Sequence, residues 1–255
     1  MKSLALVAFV VVAAGCHDFD ALSSHYGDAD LGADMAISST FSSDLAQSGA
    51  GDLPLPQDLA SSDLAGDAAM PIVGHLTGSG VATNSIVDLT SVGTSDWAHW
   101  GFPSAAIDRK AGPLAQIGNF TPIGGTAAAY SNNPVGYSWS DGAVTPSVTS
   151  TTTGVFIAGM GAGFQLTVPA STASRTLLVY VGGYRSNGKL TATLSDQSAP
   201  DYSDSSFQDL VDNIYDATYT ITYNAAKADQ TLTITWTAIK VVMDGNVSLQ
   251  SVALE

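Results

Sequence analysis

The stretch Thr231-Leu232-Thr233-Ile234-Thr235-Trp236-Thr237-Ala238 decides the fold class. Leu232, Ile234, Trp236 and Ala238 take every second position, and four threonines fill the places between. Side chains alternate across a strand with a period of two, so this pattern makes one apolar face and one wet face. It is a half-buried β-strand with Trp236 in the core. Tyr219, Ile221 and Tyr223 alternate with Thr218, Thr220 and Thr222 in the same way, and residues 224–230 can return the chain so that the two strands pair. Asn187-Gly188, between segments 175–184 and 189–195, reads as a hairpin turn, because both central positions of such a turn need positive φ. Asp244-Gly245 reads as the turn before a further strand over 247–254, and Asp141-Gly142 as the turn after 137–140. Runs at 80–90, 116–121 and 164–168 add strands. Only Phe207, Leu210, Val211, Ile214 and Tyr215 fall at helical spacing; with Ser205 and Gln208 as a capping box they predict one short helix near 206–213. About ten short strands with Gly, Pro, Asn and Asp between them predict an all-β fold, a two-sheet antiparallel jelly-roll sandwich over residues 72–255. One wet sheet face accounts for the threonine rows.

Composition removes several functions. The 255 residues carry 23 acidic and 8 basic side chains, a formal net charge of −15. Binding a phosphate backbone needs Lys and Arg to displace counterions, so nucleic acid is not an expected partner. Cys16 is the single cysteine, which excludes an internal disulfide, a thiolate metal cluster and Cys-x-x-Cys redox chemistry. Residues 17–71 hold ten Asp and no Lys or Arg. Such a segment of Asp, Ser, Ala, Gly and Pro with isolated leucines buries too little apolar area to offset the chain entropy lost on folding, so residues 16–71 read as a disordered linker. The repeated Asp-Leu pairs at 44, 52, 58 and 63 read as drift in a low-complexity stalk.

The N-terminus reads as an export signal. Lys2 precedes an apolar run over residues 4–14 that is too short to span a ~30 Å hydrocarbon core. Ala13-Ala14-Gly15-Cys16 resembles the lipobox of bacterial lipoproteins, although Ala13 stands where that motif usually has leucine. The resemblance implies a signal peptide over 1–15, acylation of Cys16, and export to a bacterial membrane or cell surface.

A second resemblance covers most of residues 80–255. Residues 87–90 and 93–101, then Tyr137-Ser138-Trp139-Ser140-Asp141-Gly142, Gly161-Ala162-Gly163-Phe164 and Leu194-Ser195-Asp196 with Ser198-Ala199-Pro200, are similar to galactose-binding-like jelly-roll carbohydrate-binding modules. That likeness implies a glycan partner and allows one structural calcium, without naming its ligands. The densest cluster is Asp96-Trp97-Ala98-His99-Trp100-Gly101. On a strand Trp97 and His99 share one face while Asp96 and Trp100 share the other. The functional reading is a sugar platform: an indole stacks on a pyranose while Asp96 or His99 bonds its hydroxyls. Tyr137 and Trp139, on one face beside Asp141-Gly142, extend it. The competing reading is that these rings pack between the sheets and the polar groups bond loop backbone.

Catalysis finds little support. Glycoside hydrolysis uses a carboxylate pair, often Glu, and the only Glu is Glu255. Beyond residue 71 there are two histidines, His75 and His99, and no Gly-x-Ser-x-Gly elbow. Residues 159–163 miss the dinucleotide fingerprint. The set Asp201, Asp204, Asp209, Asp212 and Asp216 admits a calcium reading, but a solvated face explains it more simply. The expectation is therefore a non-catalytic, lipid-anchored glycan-binding module. An envelope protein that contacts another protein is the alternative, and an Asp-dependent glycan hydrolase ranks below both.

Overall fold

The computed structural model describes residues 72–103, 106–112 and 114–255. The leader, Cys16 and the acidic linker lie outside the described residues. In chain order the elements are β1 (His75–Ala82), β2 (Val87–Asp88), α1 (Leu89–Val92), β3 (Asp96–Trp100), β4 (Ile107–Arg109), β5 (Thr121–Ile123) and β6 (Ala128–Tyr130). They continue with β7 (Tyr137–Trp139), β8 (Val148–Thr151), β9 (Gly154–Ala158), β10 (Gly163–Ala170), β11 (Arg175–Leu194), β12 (Tyr202–Asp204), β13 (Gln208–Asn224) and β14 (Gln230–Leu254). The fold is the expected all-β sandwich, with an 11-stranded sheet and a 3-stranded sheet. Pairing is antiparallel except between β2 and β7.

The alternation in 231–238 is borne out: Leu232, Ile234, Trp236 and Ala238 are buried, while Thr233, Thr235 and Thr237 are half-exposed. Strand β14 then runs on through Asp244-Gly245. Its last eight residues are buried on both faces, because β3 and β9 pair with its free edge and the small sheet covers one side. Two clusters result. The larger holds Trp100, Phe164, Trp236 and Tyr219, and the smaller holds Trp97, Tyr137, Trp139 and Tyr180.

Several local expectations are corrected. Asn187-Gly188 is no turn: β11 is one strand, paired with β14 almost throughout, with its register shifting at these residues. Gly188 is needed for space, since a Cβ there would lie 2.0 Å from Cζ2 of Trp236. Asp244-Gly245 belongs to a bulge at residues 242–245, facing Arg185, where Met243 and Arg185 have φ of 55° and 47°. Strands β13 and β14 do not pair, because β11 lies between them. Asp141-Gly142 lies in the longer loop from β7 to β8 rather than in a tight turn. The run at 80–90 splits into the end of β1, a loop, β2 and the start of α1, whose N-cap Asp88 accepts from Thr90 N at 3.1 Å. The run at 116–121 is mostly loop before β5.

The helix near 206–213 is strand and loop. Val211 is 76% exposed, so the helically spaced apolar residues share no buried face. The Asp209 carboxylate accepts from Val211 N and Asn213 N, a local alternative to helical bonding, and the Asn187 amide holds the carbonyls of Ser205 and Phe207. β-Branched and aromatic residues here favour the pleated surface.

The packing role of Gly188 predicts that Gly188→Ala lowers stability by about 1–3 kcal/mol in urea unfolding. Gly188→Asn, which a hairpin turn would accept, should do at least as much harm. An unchanged midpoint for Gly188→Asn would restore the turn.

Candidate functional site

The sugar platform expected at β3 and β7 does not exist as an accessible surface. Asp96, Trp97, His99, Trp100, Tyr137 and Trp139 are all buried, each at most 3% exposed. The facing pattern is as expected, Trp97 and His99 toward Trp139, and Trp100 toward Phe120. Both faces, however, are inside. Every indole N–H has a partner: Trp97 donates to Asp141 at 2.9 Å, Trp100 to Asn119 at 2.8 Å, Trp139 to the Thr145 carbonyl at 2.8 Å and Trp236 to the Gly182 carbonyl at 3.0 Å. Asp96 accepts from Gln116 N and Ile117 N, so it anchors the loop that covers the core. His99 lies between the Ser251 and Thr153 hydroxyls at 2.8 and 2.9 Å, and burial pushes its pKa down to about 3. It is neutral near pH 7. Asp141 is partly buried, which works against its charge, yet bonds from Lys110, Thr90 and Trp97 hold its carboxyl below the usual range.

An open groove forms elsewhere on the large sheet. Phe156 of β9 pairs with Ser248 of β14, Ser248 with Gly182 of β11, and Gly182 with Asp216 of β13. Directly paired residues point to the same side, so these four share one face. Gly182 keeps that row open, because a Cβ there would meet Oδ1 of Asp216 at 2.8 Å and Oγ of Ser248 at 3.1 Å. The next row is Asn246, Tyr184 and Ile214. These three, with Phe156, Ser248, Gly183, Tyr130 at the end of β6 and Asn132 just after it, line a groove of about 290 Å³.

The walls are fixed. Tyr130 and Phe156 meet edge to face with centroids 6.2 Å apart. The Tyr184 hydroxyl donates to Asp212, and the Arg185 guanidinium lies 5.0 Å from the centre of the Tyr184 ring while binding Asp212 and Asp244. Behind the groove is a buried polar network. The Gln250 amide nitrogen faces Tyr130 Oη at 2.6 Å, Ser248 Oγ at 3.1 Å and Asp216 Oδ1 at 3.2 Å. Asn133 bonds Asp216 at 3.3 Å, and the Gln250 carbonyl oxygen is buried with no partner. Desolvation raises the Asp216 pKa to about 7.

Sequence reasoning missed this groove. The one local sign is Gly182-Gly183 inside a strand, which marks close backbone approach. The acidic set does not form a metal site. Asp204 accepts from Tyr219 and Ser206, Asp209 from Val211 N of its own strand, and Asp212 binds Tyr184 and Arg185. On a strand Asp209 and Asp212, three residues apart, face opposite ways. Among the described residues no group of three or more His, Cys, Asp or Glu is placed to hold a metal ion.

No family model matches the chain, and no curated protein matches it. Among solved structures, the enzymatically active domain of tailspike protein 4 from bacteriophage CBA120 is similar over 54% of this chain and 19% of that one, at 12% identity and a TM-score of 0.36. A likeness this slight bears on neither fold nor chemistry.

Because the folded pKa of Asp216 is raised, the folded chain holds an extra proton between about pH 4 and pH 7. The stability from this group is full below that window, falls as pH rises through it, and is level above. His99 acts oppositely below its unfolded pKa, so the wild type must be compared with Asp216→Asn, which keeps the His99 contribution. Between pH 5 and 8 the variant should gain roughly 2–3 kcal/mol relative to wild type. Parallel stability–pH curves would contradict a buried, proton-holding Asp216.

Proposed function

We propose that this chain is a lipid-anchored, non-catalytic carbohydrate-binding protein of the bacterial cell envelope, with its glycan site in the groove between Tyr130 and Tyr184. The observation that carries the reading is the lining: three aromatic rings, Tyr130, Phe156 and Tyr184, meet the amides of Asn132 and Asn246 and the Ser248 hydroxyl. Rings supply flat apolar area for the C–H face of a sugar, while amides and hydroxyls both donate and accept toward its hydroxyl groups. This deepens the expected class of ligand and moves the site away from β3.

The non-catalytic reading is supported by the carboxylates. Glycoside hydrolysis by the usual routes needs two carboxyl groups about 5–10 Å apart across the scissile bond. Among the described residues no carboxylate lines this groove, and the nearby Asp212 is bound to Arg185 and Tyr184. Calcium has no part in the proposed contacts. The anchor rests on the lipobox-like residues 13–16, which lie outside the described residues. Several acyl chains at ~0.8 kcal/mol per buried methylene would hold the protein on a membrane. Single sites of this kind bind weakly, and many copies on one surface compensate by avidity. The burial of both Trp97 and Trp100 is the observation that favours the alternative, an envelope protein that contacts another protein.

A glycan array probed with the mature chain, with and without chelator, should give neutral-glycan hits that survive chelation. Tyr184→Ala and Asn246→Ala should each weaken the best hit at least ten-fold, about 1.4 kcal/mol, at unchanged melting temperature. Trp97→Phe should melt earlier and keep its affinity. No hit on the array, or full binding by Tyr184→Ala, would end the reading in favour of a protein partner. For the anchor, Cys16→Ser should leave washed membranes; its retention there would refute acylation.

A further inference from the structure

We infer that the proposed glycan groove is one half of a longer channel that takes an extended, uncharged glycan chain rather than a single sugar. The inference rests on the glycan reading above and names the class of ligand. A second groove, of about 490 Å³, is lined by Thr83, Asn84, Phe207, Gln208, Ile214 and Asp216 among others. The two grooves share Ile214. They also share one wall: Asn132 lines the first, while Pro134 and Val135 line the second.

The register aligns them. The row Phe156, Ser248, Gly182 and Asp216 crosses β9, β14, β11 and β13, and Thr83 N, just past β1, donates to the Asp216 carbonyl at 3.0 Å. Five chain segments side by side make four spacings of ~4.8 Å, about 19 Å in all. That is the reach of several linked sugar rings lying across the strands. The far wall is fixed, because the Asn187 amide binds the carbonyls of Ser205 and Phe207, and the Phe207 ring packs on Tyr219 with centroids 5.7 Å apart.

Charge sets the class. Among the described residues no lysine or arginine lines either groove, and Asp216 lines the second. Arg185, beside Tyr184, has its guanidinium taken up by Asp212 and Asp244. A uronate or sulfate would therefore give up water with no cation to receive its charge, whereas a neutral chain has no charge to desolvate. The amides of Asn132 and Asn246 in the first groove and of Asn84 and Gln208 in the second both donate and accept, which suits hydroxyl and acetamido substituents.

The test uses the full chain and calorimetric titration with cello-, N-acetylchito- and galacturono-oligosaccharides of two to six units. A neutral hexamer should bind at least ten-fold tighter than its dimer, more than the several-fold gain from extra binding registers. Tetragalacturonate should bind at least ten-fold more weakly than the neutral tetramer. In an Asn84→Ala/Gln208→Ala double variant, both positions being exposed, the hexamer-to-dimer ratio should fall to about three-fold or less while dimer affinity holds. Equal affinity for dimer and hexamer, an unchanged ratio in the double variant, or preference for galacturonate would overturn the channel. The first two outcomes leave a single-sugar site standing. An absence of binding by every ladder overturns the channel together with the glycan reading.

Discussion

Strand β11, 20 residues long, pairs along almost its whole length with the 25 residues of β14, and every other feature of the domain depends on that ladder. The remaining edge of β11 takes β13 and β12, and that of β14 takes β10, β9 and β3. Midway the register shifts, and residues 242–245 bulge opposite Arg185. A bulge bends its strand and increases the local twist. Here the bend separates a half of β14 with one wet face, residues 231–238, from a half buried on both sides, residues 247–254. Arg185 joins Asp212 of β13 and Asp244 of β14 at the bend, but exposed ion pairs contribute little, roughly 0–1 kcal/mol. The ladder and the two apolar clusters hold the bend, and the ions mark its place.

Burial on both faces also explains the polar residues of β3. A strand inside the protein has no solvent side, so each of its polar groups needs an internal partner. Asp96 has two loop amides, His99 two hydroxyls, and the indoles an acceptor each. The cluster that looks densest in chemistry is therefore a set of fasteners. It ties the 116–120 loop, the 139–145 loop and α1 to the sheet through Asp96, Trp139 and Asp141.

What could be read from sequence followed from what is local. The threonine alternation at 231–237 reports one wet face, and Trp236 among apolar neighbours reports core; both are properties of a single strand. Alternation places Trp97 and Trp100 on opposite faces correctly, yet it cannot say that both faces are covered, because the covering strands come from residues 128–158 and 247–254. Asn187-Gly188 has the composition of a turn, but its glycine answers a ring from another strand. Residues 206–213 have helical spacing, but Asp209 offers the backbone nearer partners. The groove was illegible for the same reason: Tyr130, Phe156, Tyr184, Ile214 and Asn246 come from five separate strands, and only register brings them together.

The groove's construction also bears on how tightly it can bind. Its floor is ladder backbone and its Tyr184 ring is held by Asp212 and Arg185, so little side-chain entropy is lost when a ligand arrives. That favours affinity. Against it, the lining holds three half-buried rings and, among the described residues, no cation, so no charge-assisted bond is available to a neutral ligand. A rigid, shallow and uncharged site gains mainly from contact area, and in the proposed channel that area would grow with the number of sugar units bound. A protein built this way would favour long chains or many copies over a deep pocket. The membrane tether proposed for Cys16 would supply the many copies.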